Sequence, residues 1–394
     1  MEFIVMYQKM IHRIFGYGKQ SISLDDIESI AKVLNSDLIS QGPKINEFET
    51  AICEYTGAKY CIVVANATAA LHLSMIALDV KSGDEVITTP LTFMASANCI
   101  SYVGGTVKFA DIEPETANID VKEIKNRLTT KTKALIPVHF AGQSCDMSAI
   151  GSLAKARGIS VVEDASHAIG SDYNGAKVGS CAHSDATVFS FHPVKNMTTG
   201  EGGAITTNSK ELYEKLLLLR SHGMVKNDPQ LTDVHGKWFY EMHRPGFNYR
   251  MTDLQAALGL SQLKRIDKFK EKRRGIVSLY KKILAEDSRI SFLVEKNYSN
   301  ACFHLCPALI DFENLKIDKK KFFNDLWEAG LHLQVHYIPV HWFAYYRNLG
   351  FCKGDFPNAE KYYEKTISLP LYPDLSDSDV EYIAETFVKV LDNA

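Results

Sequence analysis

Residues 161–203 read VVEDASHAIG, SDYNGAKVGSCAHSD and ATVFSFHPVKNMTTGEGG. Val161 and Val162 end a short apolar run that begins at Gly158 and stops at Glu163-Asp164. That is the pattern of a buried parallel strand delivering a carboxylate to its C-terminal edge. In an open α/β sheet, ligands sit at that edge. A second short strand, predicted from Ala186 to Phe191, runs into Lys195 and then a loop rich in Thr and Gly. Neighbouring strand ends therefore place one acid and one lysine in a concave site.

A lysine amine can condense with an aldehyde cofactor, and in pyridoxal phosphate (PLP) enzymes a carboxylate partners the pyridinium nitrogen so that the ring acts as an electron sink. Asp164 and Lys195 fit those roles. An Asp and a Lys at arbitrary spacing are more often a helix cap and a solvated side chain, so the surrounding residues decide. EDASHAIG (163–170) and FSFHPVKNMTTGEGGA (189–204) resemble the signature of the DegT-type sugar aminotransferases, a branch of the fold-type I PLP enzymes. The resemblance runs from about Tyr17 to Leu391. It implies an α/β fold with a mostly parallel large-domain sheet, helices on both faces, and a smaller C-terminal α/β domain.

The whole chain agrees with this. At 394 residues it is too long for one ordinary core, and two units are expected, 1–255 binding PLP and 256–394 forming the small domain. A net charge of -3 gives no electrostatic reason to expect nucleic acid or an anionic membrane as partner. No apolar run reaches the length of a spanning helix. The first twenty residues lack a signal-peptide core, so a cytoplasmic location is expected, with Met10 as a second candidate start. The eight cysteines are scattered and read as reduced core residues. Cys302, His304 and Cys306 fit a zinc site poorly, because no second CxxC pair closes it. Gly170 and Gly175 have Walker A separation but lead into Ala176-Lys177-Val178, and no GxGxxG follows a predicted strand. Nucleoside triphosphate and NAD chemistry are therefore disfavoured.

Taken in order, the chain opens with a helix capped at Ser23 and another through Phe48 and Ile52. A strand at Cys61–Val64 then meets Asn66-Ala67-Thr68 at a helix start, where free N–H groups and the helix dipole favour an anion. A plain connection capped by Thr68 reads equally well locally; the resemblance assigns the PLP phosphate here. A helix is expected from near Thr92, with Phe93 at the Asp164 edge, where the family stacks an aromatic on PLP. Strands and helices alternate through the Val161 strand, which means a parallel or mostly parallel sheet.

The resemblance further implies that His167 lies beside the cofactor ring oxygen, that Ser190 binds the phosphate, and that Asn248, in GFNYRM with Arg250, reaches the PLP phosphate of a partner subunit. The active site is then complete only in a homodimer. A solvated loop is the plain alternative for that last segment. From Thr252 one long helix is expected to Leu284, then strands at Phe303–Leu309 and Leu333–Tyr337, with helices at Lys319–Ala329, Asn358–Lys365 and Asp377–Val390. QVHYIPVHWFAYYRNLGF either contacts a sugar and base or packs; His336, Tyr337, His341 and Arg250 are the substrate candidates.

Within the family, GKQSISLDDI, SQGPKINEFE, RSHGMVK and VHYIPVH are similar to the pseudaminic-acid branch. That branch implies transfer of an amine from glutamate to C4 of a UDP-linked 2-acetamido-2,6-dideoxy-4-keto-hexose. The alternatives are another 3- or 4-keto nucleotide sugar, a PLP-dependent sugar dehydratase, in which His replaces the lysine, or a non-enzymatic sensor. Lys195 argues against the dehydratase.

Overall fold

Seven short runs of buried residues form the central sheet: β1 (Tyr60–Val64), β2 (Glu85–Thr88), β3 (Thr106–Phe109), β4 (Thr132–Ile136), β5 (Ser160–Asp164), β6 (Ala186–Ser190) and β7 (Gly203–Thr207). The computed structural model describes residues 14–226, 231–233 and 235–394; Met10 lies outside them, as does part of the segment between Ser221 and Met251. The strand order is β1-β7-β6-β5-β4-β2-β3. β7 runs antiparallel to both neighbours, and every other pair is parallel. A sheet covered on both faces needs apolar residues at consecutive positions. Val162 and Val188 accordingly pack with Leu71 and Leu73 on one face, while Val161 packs with Ile150 and Phe189 with Phe48 on the other.

The covering helices are α1 (Leu24–Leu34), α2 (Pro43–Thr56), α3 (Ala67–Ala77), α4 (Ala95–Tyr102), α5 (Val121–Arg127), α6 (Met147–Arg157) and α7 (Lys210–Arg220), followed by α8 (Asp253–Leu263) and α9 (Ile266–Leu284). Buried Asp253, at the start of α8, accepts from the Gly42 and Lys44 amides at 2.7 and 2.9 Å and so caps α2 from another helix. Gly259 lets the Phe48 ring lie directly on α8, where a Cβ would collide with it. Beyond α9, β8 (Ile290–Phe292), β9 (Cys306–Ile310) and β10 (Thr366–Leu369) form an antiparallel sheet. It buries Phe322 of α10 (Lys319–Glu328) and Phe387 of α12 (Asp377–Asp392) with Tyr280 of α9; α11 (Pro357–Lys365) precedes β10. Among the described residues, no helix is long and apolar enough to cross a membrane.

Four local expectations are corrected. The single helix from Thr252 is broken at Lys264-Arg265, because Arg265 leaves helical geometry and pairs with the buried Asp26 of α1. The strand expected from Phe303 begins at Cys306. Arg273 takes the Phe303 and His304 carbonyls at 3.3 and 3.5 Å, and the His304 amide donates to the Ala141 carbonyl at 2.9 Å. The alternation of Leu333–Tyr337 does not make a strand; only Gln334 bridges Ser368. Finally, α4 starts at Ala95 rather than Thr92, because Thr89–Met94 form a turn closed by the Leu91 amide on Thr89 Oγ1.

Candidate active site

The C-terminal ends of β5 and β6 and the turn between β1 and α3 open on one cavity of about 930 Å³. Asp164, the last residue of β5, is buried on its wall. Its amide donates to the Pro137 carbonyl at 2.8 Å and its carbonyl accepts from the His139 amide at 3.0 Å, so the chain beyond β4 fixes the strand end. Its carboxylate accepts from the Ser96 hydroxyl at 2.6 Å and from the Ser166 amide at 3.1 Å.

Beyond β6 the chain turns through His192–Lys195, closed by the Lys195 amide on the His192 carbonyl at 2.9 Å. Lys195 lines the same cavity. Burial pulls its amine down from the ordinary lysine value to about 8, with the Asp164 carboxylate opposing. The adjacent Asn196 donates to the carbonyls of Cys302, Ile169 and His167 at 2.7, 3.2 and 3.3 Å, tying the lysine loop to two other segments.

Asn66 caps α3 through its side chain, which accepts from the Ala69 amide at 2.8 Å. The amides of Ala67 and Thr68 fall in the first turn, where a helix offers them no carbonyl. Ser190 and all three of these residues line the cavity. Gly203 passes so close behind them that a Cβ would stand 2.7 Å from the Ala67 nitrogen and the Asn66 carbonyl carbon. Phe93 stands 54% exposed on the cavity wall.

His167 is buried, with Nε2 2.9 Å from the Tyr337 hydroxyl and Nδ1 without a partner among the described residues. It also lines the cavity. Burial, then Lys195 and His336, hold it well below the ordinary histidine range, so it is neutral. His336 and Tyr337 line the cavity too; His336 is bonded through Nδ1 to Ser368 at 2.8 Å and packed on Tyr17. His341 does not join them. It is fully buried, holds Glu360 through Nε2 at 2.8 Å and packs on Phe356. Asn248 is exposed and Arg250 half-buried, each bridging a neighbouring segment, and neither lines the cavity within one chain.

Sequence reasoning misses Ser96, which lies three residues after Phe93, and His304, which in the sequence is only the middle of a poorly spaced zinc pattern. The His304 ring centroid is 4.5 Å from that of His167, on the cavity wall. The donor set fits PLP: an amine of lowered basicity, a fixed carboxylate, and a helix N-terminus whose floor a Cβ at Gly203 would fill.

A model of the DegT/DnrJ/EryC1/StrS aminotransferase family matches residues 20–388. The chain is 40% identical over 381 residues to a UDP-4-amino-4,6-dideoxy-N-acetyl-beta-L-altrosamine transaminase of Campylobacter jejuni, covering 95% of this chain and 97% of that one. It is also 40% identical over 391 residues to the spore coat polysaccharide biosynthesis protein SpsC of Bacillus subtilis, covering 99% and 100%. Among solved structures, Helicobacter pylori PseC, an aminotransferase involved in the biosynthesis of pseudoaminic acid, superposes with a TM-score of 0.90 at 34% identity over 97% of this chain and 100% of that one. The PLP form of Spr1654 from Streptococcus pneumoniae gives 0.88 at 33%, covering 96% and 99%.

Proposed function

The chain belongs to the DegT/DnrJ/EryC1/StrS aminotransferase family, PLP-dependent sugar aminotransferases, and on that premise we propose that it moves an amino group from glutamate to C4 of a UDP-linked 2-acetamido-2,6-dideoxy-4-keto-hexose, in the cytoplasm, on the route to pseudaminic acid. The observation that carries the chemistry is the meeting of Asp164 and Lys195 in one cavity with the N-terminus of α3. The Campylobacter relative and PseC support the acceptor. Equal identity to SpsC supports a second reading, another 3- or 4-keto nucleotide sugar.

Lys195 would hold PLP covalently, Asp164 would accept the ring N–H, and Asn66, Ala67, Thr68 and Ser190 would hold the phosphate. Bound PLP supplies an electron sink that stabilises negative charge on the carbon bearing the amine. Once glutamate has displaced it, Lys195 Nζ takes the proton from the donor's α-carbon, a general-base role that its lowered basicity favours. In the second half-reaction the same Nζ delivers a proton to C4 of the sugar. Phe93 covers one side of the site and excludes water there.

We assign Asn248 to a partner subunit's phosphate corner in a homodimer; its exposure and its absence from its own cavity support this. His336 and Tyr337 remain the substrate contacts. We place His341 in the packing behind them and Arg250 beside the partner-facing Asn248. Two folding units, 1–255 and 256–394, are proposed, joined by α8 and α9, whose residues up to Phe269 pack with Phe48 and from Ile276 with Phe322.

The test is incubation of the PLP-loaded protein with ¹⁵N-glutamate and the 4-keto sugar nucleotide. Mass spectrometry and NMR of the product should place ¹⁵N on C4. Label on C3, or label accepted only by a different keto sugar, selects the second reading, and no transfer to any keto sugar removes both.

A further inference from the structure

Asp164 can orient a ring nitrogen only if its carboxylate is kept from rotating. Both of its oxygens are occupied on the protein side: Oδ1 by the Ser166 amide at 3.1 Å and Oδ2 by Ser96 Oγ at 2.6 Å. Ser96 has one proton and three neighbours: the carboxylate, the Phe93 carbonyl at 3.3 Å and Thr92 Oγ1 at 2.8 Å. A carboxylate only accepts, and its bond is the shortest and charge-assisted, so the Ser96 proton goes to Asp164. The Ser96 oxygen is then the acceptor for the Thr92 hydroxyl. Thr92, Ser96 and Asp164 are all buried on the cavity wall, where a hydrogen bond is stronger than one in open water.

We infer that Thr92 and Ser96 form a one-way hydroxyl relay that orients Asp164 and couples it to the turn carrying Phe93. The turn Thr92–Met94 leads straight into α4, which carries Ser96. The residue proposed to cover the cofactor face and the residue proposed to hold its ring nitrogen are thereby set by one hydrogen-bonded chain. Both hydroxyls act as positioning residues, because they reach the reaction only through Asp164. The inference rests on the assignment of Asp164 to the ring nitrogen.

The experiment compares Ser96→Ala, Thr92→Val, Thr92→Ser and Asp164→Asn with the wild type. The readouts are PLP affinity of the apo-protein by equilibrium dialysis, kcat and KM for glutamate with saturating PLP, and melting of the apo-protein. Loss of a hydrogen bond to a charged group predicts a fall of about tenfold to a hundredfold in kcat for Ser96→Ala, with weaker PLP binding and a glutamate KM within about twofold of wild type. Thr92→Val should move the same two quantities in the same direction by about three- to tenfold, and Thr92→Ser should match the wild type. Should Ser96→Ala not fold, Thr92→Val against Thr92→Ser decides alone. Wild-type kcat and PLP affinity in Ser96→Ala, or a loss confined to KM or to melting, overturns the relay while the Asp164→Asn defect stands. If Asp164→Asn itself binds PLP and turns over normally, the assignment of Asp164 fails and the relay with it.

Discussion

The Tyr337 hydroxyl stands 2.9 Å from His167 Nε2, and the Nδ1 of that buried imidazole has no partner among the described residues. The bond joins the turn after β5 to an irregular segment beyond Gln334, two parts of the chain that share the cavity wall. Tyr337→Phe would leave both His167 nitrogens unpaired. The expected cost is about 1–3 kcal/mol by denaturant unfolding. Replacing both partners, as in His167→Phe with Tyr337→Phe, should cost less than the sum of the two single changes, because no orphaned polar atom then remains. Additive losses would show that the bond contributes nothing.

The Lys195 amine, lowered by burial to about 8 against the opposing Asp164, has a consequence for cofactor capture. Only the neutral amine attacks an aldehyde, and a lowered pKa makes that form available at lower pH. The rate at which apo-protein takes up PLP covalently should therefore rise with pH and reach half its maximum near 8. Stopped-flow absorbance across the pH range measures it. A midpoint at the ordinary lysine value of about 10.4 would mean that the amine is solvated before PLP arrives. Lys195→Ala should bind PLP only reversibly and lose transamination.

Behind Asp164, Glu163 points to the opposite face of the sheet and meets His139 at 2.7 Å. The Cys145 amide donates to His139 Nδ1 at 3.1 Å, so the proton is on Nε2 and is given to Glu163. Burial pushes the Glu163 carboxyl up, but the His139, Ser184 and Thr187 bonds outweigh it and hold it below the ordinary glutamate value. A carboxyl lowered in the folded state contributes stability that is complete above its unfolded value, about 4.3, and lost as pH falls through the folded one. Glu163→Gln should thus cost about 1.5–3 kcal/mol at neutral pH, and the gap to wild type should close as the solution is acidified below about pH 4.3. A gap that stays constant into the acid range would place the stabilisation elsewhere.

The sheet was legible because several of its strands are short apolar runs ended by a polar residue, as at Val161-Val162 before Glu163-Asp164 and Val188-Phe189 before Ser190, and those two runs lead to Asp164 and Lys195. What was not legible came from segments whose local pattern is overridden by distant groups. Nothing in Leu263-Lys264-Arg265-Ile266 marks a helix end; the break falls where Arg265 reaches Asp26, buried and far away in the chain. His304 reads as part of an alternating strand until Arg273 and Ala141 claim the backbone around it. His341 looked like its neighbours His336 and Tyr337, yet a turn at Val340–Trp342 carries it into the core against Glu360. Ser96 carried no signal of its own, since a serine inside a helix is ordinary until the carboxylate it meets is known.

Gly203 is the closest constraint on the phosphate corner. It opens β7, and its pairing with Val64 and Ser190 brings it directly under the start of α3. A Cβ there would stand 2.7 Å from the Ala67 nitrogen and the Asn66 carbonyl carbon, backbone atoms that cannot move without displacing the helix N-terminus. Gly203→Ala should therefore cost about 1–3 kcal/mol in stability from the forced shift. PLP affinity should fall by about tenfold or more as the Ala67 and Thr68 amides are pushed out of register, and pyridoxal without its phosphate should bind as it does to wild type. Dialysis with the two vitamers separates the effects. Equal weakening for both would show a general collapse of the cavity, and unchanged binding of PLP would remove the N-terminus of α3 from the phosphate site.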